Sequence, residues 1–217
     1  LTNKDSIERA VSKVLENEKR IDVLINNAGI GITGSIEETP TDEVRKSFDT
    51  NFFGVLDMIK IVLPQMRKQE SGLVINITSL AGYMGLPFRG IYSSVKGALE
   101  LITESLRMEV KEFGIKITNI APGDYATNIE SGRYHSPVYQ DSPYKNAYQR
   151  NLELMNDHVD QGRDPIEIAK KIEKIIKNNE PKIHYRVGDG LQKLSIFLKR
   201  ILPDKVYEKL IMKYYKM

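Results

Sequence analysis

Apolar residues along this chain fall into two alternating rhythms, and the alternation predicts its architecture. Ile7, Ala10, Val11, Val14 and Leu15 recur at i, i+3, i+4, i+7 and i+8, the stripe of an amphipathic helix, with Asn3 or Asp5 to cap it. A short apolar run, Ile21–Asn26, ends in Asn27-Ala28-Gly29 and reads as a buried strand. Thr39-Pro40 offers an N-cap and a proline at the first helical position. From there a helical pattern runs from about residue 40 to 67 through Val44, Phe48, Phe52, Val55, Leu56, Ile59, Val62 and Leu63. Leu73–Ile77 is a second buried strand, closed by Thr78-Ser79. Gly82, Gly85, Pro87 and Gly90 mark a loop. The helical rhythm then resumes from Tyr92 to about Glu112, with Val95, Ala98, Leu99, Ile102 and Leu106 on one side. Gly114 stops that helix, and Ile115–Ile120 is a third strand.

Residues 123–162 break the rhythm. They are polar and irregular, with Tyr125, Tyr134, Tyr139, Tyr144 and Tyr148; so long a connection predicts a substrate lid or binding loop. Asp164-Pro165-Ile166-Glu167 is a capping box that opens a helix to about Lys177. Lys182–Val187 is a fourth strand, and 191–217 forms two basic amphipathic helical pieces broken at Pro203. Strands alternating with helices predict an α/β fold, a doubly wound parallel sheet in one domain spanning 1–217. Ligands in such sheets bind outside the carboxyl ends of the strands, where Asn26–Gly29, Thr78-Ser79 and Pro122-Gly123 all stand.

Composition narrows the function classes. The net charge of +3 leaves no general nucleic-acid footprint. It is unevenly spread, because 193–217 carries seven Lys/Arg against Asp204 and Glu208. The absence of cysteine removes disulfides and thiolate chemistry and suits a cytoplasmic setting. His135, His158 and His184 are scattered without metal-ligand spacing, so no metal site is expected. No apolar run has the length of a membrane span, and no signal-peptide pattern is present.

Three motifs compete to explain the chemistry. Gly29-Ile30-Gly31-Ile32-Thr33-Gly34 matches G-x-G-x-x-G, but Ser35–Pro40 separate it from the next helix, so no helix start is available for a pyrophosphate. Ser93-Ser94-Val95-Lys96 matches S-x-x-K, yet its companions S-D-N and K-T-G are missing, as is G-x-S-x-G. Tyr92 and Lys96 lie four apart on one helical face. An ammonium beside a phenol favours the phenolate, which makes a general acid or base for a hydroxyl proton.

Together these residues resemble the short-chain dehydrogenase/reductase family. Asn26-Asn27-Ala28-Gly29 matches its signature after the family's fourth strand, and Asn51 in Asn51-Phe52-Phe53-Gly54 its active-site asparagine in the middle of a long helix. Ser79 precedes Tyr92 by thirteen residues, the family's spacing, and Tyr92-x-x-x-Lys96 completes a tetrad. Pro122-Gly123 followed by Thr127 matches the segment that contacts the nicotinamide carboxamide. The resemblance covers residues 1–130 firmly and the tail loosely. It implies a Rossmann-like oxidoreductase that moves a hydride between NAD or NADP and a secondary alcohol or ketone. Tyr92 would exchange the proton, with Ser79 hydrogen-bonded to the substrate oxygen. Lys96 would hold the nicotinamide ribose, and Asn51 a relaying water. Asn27, Ala28, Gly29, Tyr92, Lys96, Pro122, Gly123 and Thr127 would line the cofactor.

The chain departs from the family pattern in two places. The glycine-rich phosphate loop and the opening strands are absent from the given sequence, so a longer parent protein is expected, with Val23–Asn26 as an exposed sheet edge. Asp124 and Tyr125 stand where the family carries apolar residues. The tyrosine-rich lid and its apolar neighbours suggest a substrate larger than a short polar alcohol, and the tail Leu194–Leu202 resembles those of members acting on steroid- or retinoid-like substrates. That tail is expected first to pack plainly against the domain; it could also cover the pocket, pair with a subunit or rest on an anionic membrane surface. Helices 40–67 and 92–112 resemble the family's paired dimer helices, implying a homodimer or homotetramer. A sugar-nucleotide epimerase or a non-catalytic binding protein on the same scaffold are the alternatives.

Overall fold

The computed structural model describes residues 1–127, 132–160 and 162–217; the side chains of 158–160, His158 among them, lie outside the described residues. The chain enters through helix α1 (Lys4–Glu18), capped by Asn3, whose side chain accepts the Ser6 N–H at 2.9 Å. Ile7 and Val11 on α1 are buried. Strand β1 (Val23–Asn26) and a two-residue strand β2 (Ile32–Thr33) follow. No helix opens until α2 (Thr41–Phe48), so Gly29 and Gly31 lie in the connection between β1 and β2 and Gly34 just beyond β2, with no helix start among them, as their context implies.

The single helix expected over 40–67 is divided. A π-helical turn, Asp49–Phe53, separates α2 from α3 (Gly54–Lys68). Thr39 does not cap α2; its hydroxyl donates to the Ser35 carbonyl at 2.6 Å and closes the preceding turn, leaving Pro40 at the cap position. Strand β3 (Gly72–Ile77) leads through a 3-10 turn, Leu80–Tyr83, to α4 (Gly90–Glu109). A further 3-10 turn ends at Gly114, which has φ of 68° and no room for a side chain, since a Cβ there would lie 2.2 Å from the Glu70 carbonyl oxygen. Glycine alone meets both conditions. Strand β4 (Ile115–Pro122) begins at once.

Within 123–162, the described residues form more regular structure than the composition predicts. They include β5 (Tyr134–His135), which pairs with β2, and the helix α5 (Lys145–Asp160). Helix α5 buries Tyr148, Asn151 and Met155. That is helical spacing, but two of the three residues are polar by type, so no apolar stripe announces it. The Tyr148 hydroxyl donates to the Thr33 carbonyl at 3.0 Å, and the Asn151 amide to the Ala147 carbonyl at 2.9 Å. Helix α6 (Ile166–Ile176) has half of the expected capping box. Asp164 accepts the Ile166 N–H at 2.9 Å, whereas Glu167 turns to Arg163 at 2.8 Å instead of back to the cap. Strand β6 (His184–Val187) and helices α7 (Gly190–Ile201) and α8 (Asp204–Tyr214) complete the chain.

The main sheet is parallel throughout, in the order β1-β3-β4-β6. One face packs α1, α3 and α4 through Val11, Leu24, Val55, Ile59, Val62, Met66, Val74, Leu99 and Ile117. The opposite face packs α6 through Leu73, Ile75, Ile120 and Ile175. Alternate residues of β3 therefore serve opposite layers. This is the doubly wound α/β arrangement expected from the sequence, with β1 as one sheet edge and Ile25 exposed there.

Candidate active site

Parallel register brings the carboxyl ends of the strands together, with Asn26 opposite Asn76 and Asn76 opposite Asn119. The segments leaving them border a cavity of about 600 Å³. All ten residues singled out from the sequence line it: Asn27, Ala28, Gly29, Asn51, Ser79, Tyr92, Lys96, Pro122, Gly123 and Thr127.

Helix α4 presents Tyr92 in its first turn and Lys96 one turn later. Lys96 is almost fully buried, and its Nζ donates to the Ile77 carbonyl at 3.0 Å. That ammonium lies 5.9 Å from the centroid of the Tyr92 ring, and the Arg89 guanidinium carbon lies 5.7 Å from the same ring. Two cations thus flank one phenol, and the sequence reading had named only the first. Arg89, one residue ahead of α4, has no helical periodicity to reveal it.

Ser79 is held by its own turn. It caps the Leu80–Tyr83 3-10 turn, and its Oγ accepts the Ala81 N–H at 3.2 Å. That turn is pressed against α4 backbone to backbone. A Cβ at Gly97 would lie 2.9 Å from the Gly82 carbonyl oxygen, and one at Gly82 would lie 3.0 Å from the Lys96 carbonyl carbon. Two glycines facing each other let the segment carrying Ser79 approach the helix carrying Tyr92 and Lys96.

Asn51, fully buried in the π-helical turn, is a clamp. Its Oδ1 accepts the Ile30 N–H at 3.0 Å, while its Nδ2 donates to the Ile30 carbonyl at 3.0 Å and the Ser47 carbonyl at 2.9 Å. Gly29 lies directly against it; a Cβ there would be 2.7 Å from Asn51 Oδ1 and 3.4 Å from Lys96 Nζ. The turn after β1 is therefore held close to the buried lysine by a side chain from the helix layer.

Behind Lys96 lies a polar network that sequence reasoning missed. Glu100, four residues along α4 and buried, accepts from the Thr78 hydroxyl, from Tyr83 at 2.7 Å and from Asn119 at 2.9 Å. His184 places its two ring nitrogens 2.8 Å from Glu100 and 2.9 Å from Glu104. Burial and the Glu100 charge push the Tyr83 hydroxyl well above the ordinary tyrosine pKa. The spacing of Glu100 from Lys96 was the available signal, but a lone glutamate on a helix face is ordinarily solvated.

A second cavity of about 260 Å³ adjoins the first. Ser79, Arg89, Gly123 and Asp124 border both. Its remaining walls are mainly apolar and come from the 3-10 turn, α7 and α8, including Leu80, Met84, Leu198 and Ile211. Asp124, at the junction, accepts a hydrogen bond from Gln192 on α7 at 2.7 Å.

Known proteins share this arrangement. The short chain dehydrogenase family profile matches residues 1–136. A 3-ketodihydrosphingosine reductase from Bacteroides thetaiotaomicron is 38% identical over 209 residues, 96% of this chain and 78% of that protein. A short-chain dehydrogenase structure from Streptomyces avermitilis superposes with a TM-score of 0.82 at 29% identity, covering 99% of this chain and 76% of that one. The structure of ElxO with NADP bound superposes with a TM-score of 0.67 at 27% identity, covering 86% and 73%. A parallel sheet whose strand ends gather Asn51, Ser79, Tyr92 and Lys96 into one cavity, in a chain with these relatives, places the protein in the short-chain dehydrogenase/reductase family of NAD(P)-dependent oxidoreductases.

Proposed function

We propose that the chain reduces a ketone that carries a long apolar chain, or oxidises the matching secondary alcohol, with Tyr92 as the proton donor and acceptor. One observation carries this reading: the apolar second cavity joins the catalytic one at Ser79, Arg89, Gly123 and Asp124. A carbonyl beside Ser79 and Tyr92 would leave its alkyl chain among Leu80, Met84, Leu198 and Ile211. The substrate named for the Bacteroides relative, a long-chain ketone, has that form.

The larger cavity suits a nicotinamide dinucleotide, as in the NADP-bound ElxO structure. Gly29 lines it without a side chain and is exposed, so backbone lies open to a ligand there. Lys96 is a buried cation available to ribose hydroxyls, and Asn27, Ala28, Pro122, Gly123 and Thr127 belong to the same wall. The cofactor, when bound, supplies or accepts the hydride. The chain's own part is proton transfer and orientation. The Tyr92 hydroxyl gives its proton to the substrate oxygen in reduction and takes it back in oxidation. Ser79 Oγ accepts from Ala81, so its own hydrogen is available to the same oxygen as charge develops there. Lys96 sets its Nζ 5.9 Å from the centre of the phenol ring, and the Asn51 clamp holds the Gly29–Ile30 segment beside it. The same reading includes self-association through α4, where Leu101 and Met108 are exposed seven residues apart.

The test is oxidation of NADH and NADPH by the intact protein with ketones of increasing chain length, 3-ketodihydrosphingosine among them. Each methylene buried is worth about 0.8 kcal/mol, so kcat/KM should rise about fourfold per carbon until the pocket is full. A flat chain-length series would overturn the pocket assignment. Tyr92→Phe should abolish turnover while cofactor binding persists; equal rates would overturn the proton-transfer role.

A further inference from the structure

The helices that wall the apolar cavity also carry an uncovered apolar surface on their outer side. Along α7, Leu191, Leu194, Phe197 and Ile201 are spaced three and four apart and are 63%, 46%, 57% and 56% exposed, while Ile196 on the inner side is buried. On α8, Val206, Leu210 and Tyr214 repeat every fourth residue and are exposed, whereas Tyr207 is buried. Leu191, Leu210 and Tyr214 belong to both sets, exposed and cavity-lining, so the cavity opens onto this surface.

Charge separates the possible occupants. Lys193, Arg200, Lys205, Lys209, Lys213 and Lys216 are exposed among these apolar residues, and among the described residues the ion pair within the segment is Lys199 with Asp204 at 3.4 Å. Residues 193–217 carry a net +5. Two copies of so basic a face would repel each other, whereas anionic headgroups would attract it and an acyl layer would take the apolar side chains. None of the described helices is long and apolar enough to cross a membrane. We propose that α7 and α8 form a docking surface for an anionic lipid bilayer, with the mouth of the apolar cavity turned towards the lipid. An amphiphilic substrate could then pass from the bilayer to Ser79 and Tyr92 without its alkyl chain crossing water. Docking does not require the catalytic reading to be correct, because it rests on the outer faces of the two helices.

Sedimentation of the intact protein with vesicles tests this, using phosphatidylcholine alone and phosphatidylcholine mixed with phosphatidylglycerol. Binding is expected to the anionic vesicles, to fall steeply with added salt, and to weaken about tenfold or more in Lys209→Glu/Lys213→Glu and in Phe197→Ser/Ile201→Ser. These four side chains line neither cavity, so turnover of a short soluble ketone should stay at the wild-type rate. Equal binding to both vesicle types, or none to either, overturns the proposal. So does a mass in light scattering that halves in Phe197→Ser/Ile201→Ser, because the face would then be covered by a second copy.

Discussion

Gly97→Ala tests whether the site depends on the close approach of two backbones. The new methyl would lie 2.9 Å from the Gly82 carbonyl oxygen, against the 3.4 Å at which ordinary contact begins. The obstacle is main chain, so no side-chain rotation relieves it. The 3-10 turn bearing Ser79 and the helix bearing Tyr92 and Lys96 must separate by about half an ångström. Two terms oppose each other in stability. Overpacking costs about 1–3 kcal/mol, while alanine gains about 1 kcal/mol over glycine inside a helix. The net loss is about 0–2 kcal/mol, or a fall in Tm of roughly 0–8 °C for a chain of this size. Catalysis has no such compensation, because Ser79 and Tyr92 must address one oxygen together. A shift of this size should lower kcat about tenfold or more with a smaller effect on KM. The measurements are steady-state kinetics on the preferred ketone and thermal unfolding followed by circular dichroism. Gly85→Ala is the matched control, since a Cβ there meets nothing within 4 Å, and both quantities should stay near wild type. A Gly97→Ala enzyme with wild-type kcat would refute the reasoning, as would a Gly85→Ala enzyme that loses as much.

Other consequences can be measured in the same way. Asn51→Leu removes the acceptor of the half-buried Ile30 N–H and should cost about 1 kcal/mol or more in urea unfolding, with a larger loss of cofactor affinity than Gly85→Ala shows. Glu100→Ala removes the shared acceptor of Thr78, Tyr83 and Asn119; the loss should reach about 3–5 kcal/mol, whereas a solvated glutamate would cost almost nothing. Burial raises the hydroxyl pKa of Tyr83, Tyr148 and Tyr215 and pushes Tyr214 up to about 12. The folded state therefore keeps phenolic protons that the unfolded chain releases, and stability should fall as pH rises above about 10. Ultraviolet titration should show part of the 11 tyrosines ionising only as the fold is lost; eleven smooth titrations in a folded protein would contradict it. Leu101→Glu/Met108→Glu should reduce the mass seen in light scattering if α4 pairs subunits, and an unchanged mass would place the interface elsewhere.

What the sequence determined by itself was the layer plan and the chemistry-bearing positions. Apolar runs at Gly72–Ile77 and Ile115–Pro122 are strands buried on both faces, while Val23–Asn26, at the sheet edge, buries Leu24 and Asn26 and leaves Ile25 exposed; hydrophobicity records that burial directly. Asn51, Ser79, Tyr92 and Lys96 were legible because their types and spacings are a joint pattern, and the cavity contains all four. The tertiary structure alone decided the rest. Helix α5 was hidden because its buried positions include Tyr148 and Asn151, polar residues satisfied by the carbonyls of Thr33 and Ala147. The π-helical turn around Asn51 was hidden because an extra residue in a helix leaves the local apolar rhythm nearly intact. Arg89 and Asp124 carry no periodic signal, and it is the folding of α7 and α8 over Ser79 that places them at the mouth between two cavities. Local pattern reports which side of an element is buried; which elements then meet depends on contacts far apart in the chain, and those a one-dimensional pattern does not contain.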